Sequence, residues 1–128
     1  MDDLDDDDWV SQFGTIHAPI GGKPFKCRPF IHEDPQELSL LAGKLTPDEA
    51  ATTVNRRRAG SALPGDGVRH ARVGKLRSEG FRVWRSPTRK IPGHVSVMPL
   101  DGNRAWTDDD SQRFDDCFES KAWKEGQL

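Results

Sequence analysis

Alternation is the clearest regularity along this chain. In "FRVWRS" (81–86), Phe81 and Val83 are separated by Arg82 and Trp84, a period of two that lines one face of a strand with apolar side chains. "HVSVMPL" (94–100) alternates again, and "PTRKIPG" between the two carries turn residues, so residues 81–99 are predicted to form a hairpin. "LSLLAG" (38–43) is a short apolar run that reads as another strand. Helical signals lie elsewhere. In "LTPDEAATTVNRRRAG", Thr46 fits an N-cap, Pro47 the first helical position, Glu49 a capping box and Gly60 a stop, which predicts a helix over 47–59. "DGVRHARVGKLRSEGF" reads as a second helix capped by Asp66, with Val68, Ala71 and Leu76 on one side, Gly74 weakening it and Gly80 ending it. Thr107 followed by Asp108, Asp109 and Asp110 starts a third, in which Phe114, Cys117, Phe118 and Ala122 recur at helical spacing.

Between residues 15 and 35 the prolines and glycines allow only short extended pieces, around 24–31. Trp9, Val10 and Phe13 either dock on the body or stay exposed. The sum is an α+β fold: a small, mainly antiparallel sheet with two or three helices packed on one face.

Composition narrows this picture. A length of 128 residues suits one domain, and 34% hydrophobic against 31% charged residues leaves only a modest core. Six aspartates within residues 1–8 repel one another and predict a disordered acidic tail, with the domain over 9–128. No apolar run approaches the roughly 18 residues of a membrane span, and the acidic start is unlike a secretory signal. Cys27 and Cys117 lie far apart with no C-x-x-C, as expected of two reduced thiols in a cytoplasmic protein.

Charge changes the picture most. Residues 1–55 hold eleven acidic side chains against four basic, residues 56–90 two against eleven, and residues 91–128 eight against four. A basic block therefore sits between acidic ends. Arg56, Arg57, Arg58, Arg72 and Lys75 are candidates for phosphate or carboxylate contacts, with Arg82, Trp84 and Arg85 adding stacking on the hairpin. The leading expectation is a non-enzymatic binding or adaptor module whose partner is an anionic macromolecule, nucleic acid or an acidic protein. The competing account is that these arginines pair with the chain's own aspartates. Trp9, Phe13 and Trp123 suggest a third role, an accessory or immunity-type protein of a bacterial conflict system that binds a larger protein.

Candidate chemistry centres on His94. His94, Val95, Ser96 and Val97 form an H-x-S-h stretch, in which His and Ser two apart share a strand face. It resembles one motif of the two-histidine phosphoesterases, which implies a small phosphoesterase or nuclease-like enzyme using His94 and Ser96, with His70 as a further participant. That family uses two such motifs; here His17, His32 and His70 are not followed by Ser or Thr two positions on. The spacing of His17, Cys27, His32, His70, His94 and Cys117 matches no metal site, "AGSALPGDG" lacks the Lys and Ser/Thr of a P-loop, and no G-x-S-x-G elbow occurs. No metal or cofactor is expected. "LSLLAGKLTPDEAA" and "VGKLRSEGFRVWRSPTRKIPGHVSV" together are similar to small uncharacterised bacterial proteins over about residues 25–99. That resemblance implies a stand-alone intracellular domain and carries no activity with it.

Overall fold

The computed structural model describes residues 4–17, 19–29, 37–54, 62–102 and 104–125. The hairpin forms as the alternation predicts: β4 (Phe81–Arg85) pairs with β5 (His94–Pro99), from Phe81 opposite Pro99 to Arg85 opposite Val95. With β1 (Trp9–Thr15), β2 (Leu38–Ala42), β3 (Asp66–Arg72) and β6 (Phe118–Trp123) they make one antiparallel sheet in the order β4-β5-β2-β1-β3-β6. Three helices, α1 (Pro47–Thr53), α2 (Val73–Ser78) and α3 (Asp108–Asp116), complete an α+β fold.

Local chemistry explains where the helices begin. The Thr46 hydroxyl accepts from the Glu49 amide at 3.1 Å while the Glu49 carboxylate accepts from the Thr46 amide at 2.9 Å, so both halves of the capping box are made. Thr107 and Asp110 repeat the device at α3. Asp110 also accepts from the Arg104 and Arg113 guanidiniums. Chiefly through the Arg104 hydrogen bond, its carboxyl is held down at about 2. The first helix ends at its Val54 cap; residues 55–61 lie outside the described residues.

Three expectations are corrected. Residues 66–72 form a strand where their spacing suggested a helix, because β3 lies between β1 and β6 and finds seven partners along β1, which satisfies its backbone from both sides. The helical part starts only at Val73. Next, the stripe Phe114, Cys117, Phe118 and Ala122 is broken at Cys117: α3 stops at Asp116 and Phe118–Trp123 becomes an edge strand with alternating exposure. Finally, residues 4–8 are not a free tail. Leu4 is buried, the Val73 and Gly74 amides at the start of α2 donate to the carbonyls of Asp8 and Asp6, and Arg77 reaches the Leu4 carbonyl at 3.1 Å and the Asp6 carboxylate at 3.0 Å. The unmet amides of a helix start attract the segment that repulsion alone would expel. A Cβ on Gly74 would come within 2.8 Å of the Asp6 Cβ, so glycine is required by this close approach.

Each sheet face carries its own cluster. Under α2 and α3, the two helices packed on one face, Val10, Leu40, Val83, Val95 and Val97 meet Leu76, Phe114 and Cys117. Phe81, Trp106 and Phe114 form an aromatic triangle with centroids 5.2–5.9 Å apart. Full burial of a Phe of this kind stabilises by about 1.5–3 kcal/mol. On the opposite face Leu41, Ala50 and Val68 pack with Phe13, Leu45 and Ile91 under α1, which rests on β1 and β3. Among the described residues α1 reaches as far as Leu41 of β2 on that face.

Candidate active site

Cross-strand register places the polar residues of the α1 face in rows. His94 stands opposite Leu41, Leu41 opposite Ser11, Ser11 opposite His70 and His70 opposite Ser120. Ser86, just past the end of β4, donates its amide to the His94 carbonyl and extends this row outward. In the next row Trp84 faces Ser96 and Ser96 faces Ser39. Directly opposed side chains in an antiparallel sheet lie about 4.5–5.5 Å apart, so two histidines and five serines share one surface.

His94 joins a continuous hydrogen-bonded chain. Its Nε2 lies 2.8 Å from the Ser39 Oγ and its Nδ1 lies 2.7 Å from the Ser86 Oγ. Ser86 Oγ is 2.6 Å from Ser96 Oγ, and Ser96 donates to Glu37 Oε1 at 3.1 Å. The ionised carboxylate only accepts, and each hydroxyl has a single proton. Ser96 gives its proton to Glu37, so Ser86 must donate to Ser96, and His94 Nδ1–H must donate to Ser86. In the neutral ring Nε2 is then left with a lone pair aimed at Ser39, whose O–H is the one proton directed into the imidazole. Glu37 thus sets the direction of every bond up to an exposed serine.

His70 shows the contrasting arrangement. Its Nε2 is 2.8 Å from the Leu45 carbonyl, which cannot donate, so the proton is on Nε2 and Nδ1 accepts from Ser120 at 2.9 Å. His70 is buried beneath α1 and holds backbone in place.

The chain borders a cleft that backbone pairing creates. β1 pairs with β2 only at Val10–Ala42 and Ser11–Leu41, whereas it follows β3 as far as Thr15. Where β1 and β2 part, a cavity of about 480 Å³ opens, lined by Phe13, Leu41, Val54 and Ile91 together with Lys26, Glu37, Ser39 and His94. A larger cavity of about 670 Å³ lies beside Cys27 and Trp106, but its cations are engaged: Lys23 pairs with Asp115 at 2.9 Å, which raises its pKa, and Arg28 pairs with Asp108 at 3.2 Å. Cys27 and Cys117 are free thiols, and burial pushes Cys117 up to about 11. Among the described residues no group of three or more His, Cys, Asp or Glu is placed to hold a metal, and no helix is long and apolar enough to cross a membrane.

The described members of the basic block do not converge on one surface. Arg56, Arg57 and Arg58 lie outside the described residues. Arg72 donates to the Asp7 carbonyl and stacks 4.4 Å above Trp9, Lys75 pairs with Glu79, and Arg77 holds residues 4–6. Arg69, a member of the same block, is buried against Asp115 and Gln12, and that burial lowers its pKa. Arg82 lies 4.7 Å over Trp84 on the relay's face, while Arg85, one residue on, falls on the other face of β4. Of the aromatics, Trp9 is flanked by Lys44 and Arg72, Phe13 packs into the α1 cluster, and Trp123 is 38% exposed beside Phe25.

Ser96, singled out with His94 in the H-x-S-h stretch, is fully buried inside the chain of hydroxyls. Ser39 and Ser86 are the side chains in contact with His94. Glu37, just before β2, and Ser39 within it escaped notice; only strand pairing reveals that Ser39 lies across from Ser96, one row from His94. No family model, curated protein or solved structure matches this chain.

Proposed function

We propose that this cleft is the active centre of a small ester hydrolase, with Ser39 as nucleophile and His94 as its general base. The observation that carries the reading is the direction of the hydrogen bonds: with Glu37 ionised, the exposed Ser39 hydroxyl donates to a His94 nitrogen that has nowhere else to find a proton. As Ser39 Oγ attacks the ester centre, its proton passes to Nε2. The imidazolium is supported through Nδ1–H, Ser86 and Ser96 by the Glu37 charge. His94 then returns the proton to the departing alcohol, giving a covalent Ser39 ester. Water, deprotonated by His94 in turn, cleaves that ester and restores Ser39. The two free thiols support a reducing, cytoplasmic setting.

Turnover of p-nitrophenyl acetate and bis(p-nitrophenyl) phosphate, and mass-spectrometric mapping of a fluorophosphonate label, test this. Turnover lost in Ser39→Ala and a label on Ser39 are expected. Equal turnover in Ser39→Ala, or a folded chain that neither turns over nor takes the label, overturns it.

A second reading, a nucleic-acid-binding module without turnover, is favoured by Arg82 stacked on Trp84 and by exposed Arg89 and Lys90 in the following turn. It expects a gel shift with single-stranded DNA or RNA that weakens steeply with salt and with Trp84→Ala.

A further inference from the structure

The row that holds Ser39 ends on an aromatic ring. From β2 to β5 to the edge strand β4 it runs Ser39, Ser96, Trp84, so the indole lies two strand spacings, roughly 10 Å, from the Ser39 hydroxyl on the same sheet face, with buried Ser96 between them. Trp84 is half-buried, and Arg82, two residues before it, braces the ring with its guanidinium 4.7 Å from the centroid. A reactive hydroxyl therefore has a flat aromatic platform at the reach of one nucleotide.

We infer that the ester cleaved here is a phosphate ester bearing a nucleobase: phosphorus at Ser39 and base stacked on Trp84, whose ring Arg82 braces. The inference rests on the Ser39–His94 reading for its chemistry. The steps balance without a further reactant but water. The Ser39 Oγ–P bond forms and the P–O bond to the leaving alcohol breaks. The Ser39 proton travels through Nε2 to that alcohol, and hydrolysis of the phosphoserine releases the nucleoside monophosphate. Aromatic stacking accepts any base, so the site reads the presence of a base and not its identity. The polarised indole face also suits the Arg82 guanidinium.

Two esters with the same leaving group separate the possibilities: thymidine 5′-(p-nitrophenyl phosphate) and methyl p-nitrophenyl phosphate. The full-length chain is expected to favour the nucleotide ester at least tenfold in kcat/KM. Trp84→Ala should raise KM for that ester at least tenfold more than for the methyl ester, and Trp84→Phe should restore most of the difference. Arg82→Ala, which removes the brace on the indole, should raise KM for the nucleotide ester more than for the methyl ester. In parallel, thymidine monophosphate binding is measured by calorimetry on Ser39→Ala and on Ser39→Ala combined with Trp84→Ala. Hydrolysis of the methyl ester with no nucleotide preference, and thymidine monophosphate binding absent or indifferent to Trp84, overturns the substrate assignment and leaves the serine–histidine reading standing. Binding that depends on Trp84 with no ester turned over does the reverse.

Discussion

His70 and His94 stand on one row of one sheet face, each with a serine on the strand outside it, and they end in opposite protonation patterns. His70 sits in the half that α1 covers and donates from Nε2 to the Leu45 carbonyl. His94 sits on β5, beyond the strands on which α1 rests, donates from Nδ1 toward a carboxylate two hydroxyls away, and turns Nε2 to an exposed serine. Residue type and sheet position are the same; the acceptor at the far end of each ring differs. A carbonyl ends its chain at once, whereas a carboxylate beyond two hydroxyls leaves a basic nitrogen facing outward. A histidine on a strand is thus a clasp or a base according to what its other nitrogen meets.

The largest effect that would separate the two halves is on turnover. His94→Ala is expected to lower kcat/KM for a susceptible ester by roughly 10³-fold, within the range of a general base, with the chemical-denaturation midpoint little changed. Equal turnover would make both histidines structural and end the contrast. The mirror experiment is His70→Ala, which leaves the Leu45 carbonyl without its partner under α1 and should cost about 2–3 kcal/mol of stability, seen in urea unfolding. Activity per folded molecule should stay at the parent level, and a matching loss would bring His70 into the chemistry.

Glu37 offers a finer cut. Glu37→Leu removes the acceptor that orders the hydroxyls, so kcat should drop roughly tenfold to hundredfold, less than the ~10⁴ of a directly bonded carboxylate because two serines intervene. KM should remain within about twofold, since a positioning residue of this kind leaves substrate binding alone. A KM rise without loss of kcat contradicts the role.

The smallest effect concerns the cover over His70. Asp48 in α1 accepts from the Ala62 amide at 2.8 Å and from Lys124 at 3.0 Å, and these, the amide first, lower its pKa. A folded-state pKa below the unfolded one means that the contribution is present above about pH 4 and fades as pH falls further. Amide protection of α1 should therefore hold down to about pH 4 and decline as pH falls further, while β5 holds. Asp48→Asn should flatten that difference, and persistence of the decline would locate the acid-sensitive group elsewhere.

Much of the framework was legible in the chain. The hairpin, the "LSLLAG" strand and two capped helix starts depend on neighbours a few residues away, and they stand where local rules place them. β3 and β6 were misread because "GVRHARV" and "FESKAW" carry no strong period of their own; their state is decided by pairing with β1 and with each other. The candidate site was half legible. His94 stood out by its place after a turn, but Glu37 and Ser39 arrive from a segment more than fifty positions away, and no local pattern encodes that register. The basic block was visible as composition, yet composition is silent on direction. Arg69 turns inward and Arg85 turns to the face opposite Arg82.

The aspartate-rich segment 4–8, laid along α2, works as an internal counterion. Arg72 and Arg77 already hold backbone and carboxylate oxygens of residues 4–7. A polyanion approaching that side must therefore exchange for this strap, releasing one set of negative charges as it supplies another. Attraction there is cancelled in advance, and an anion gains little by docking on that side.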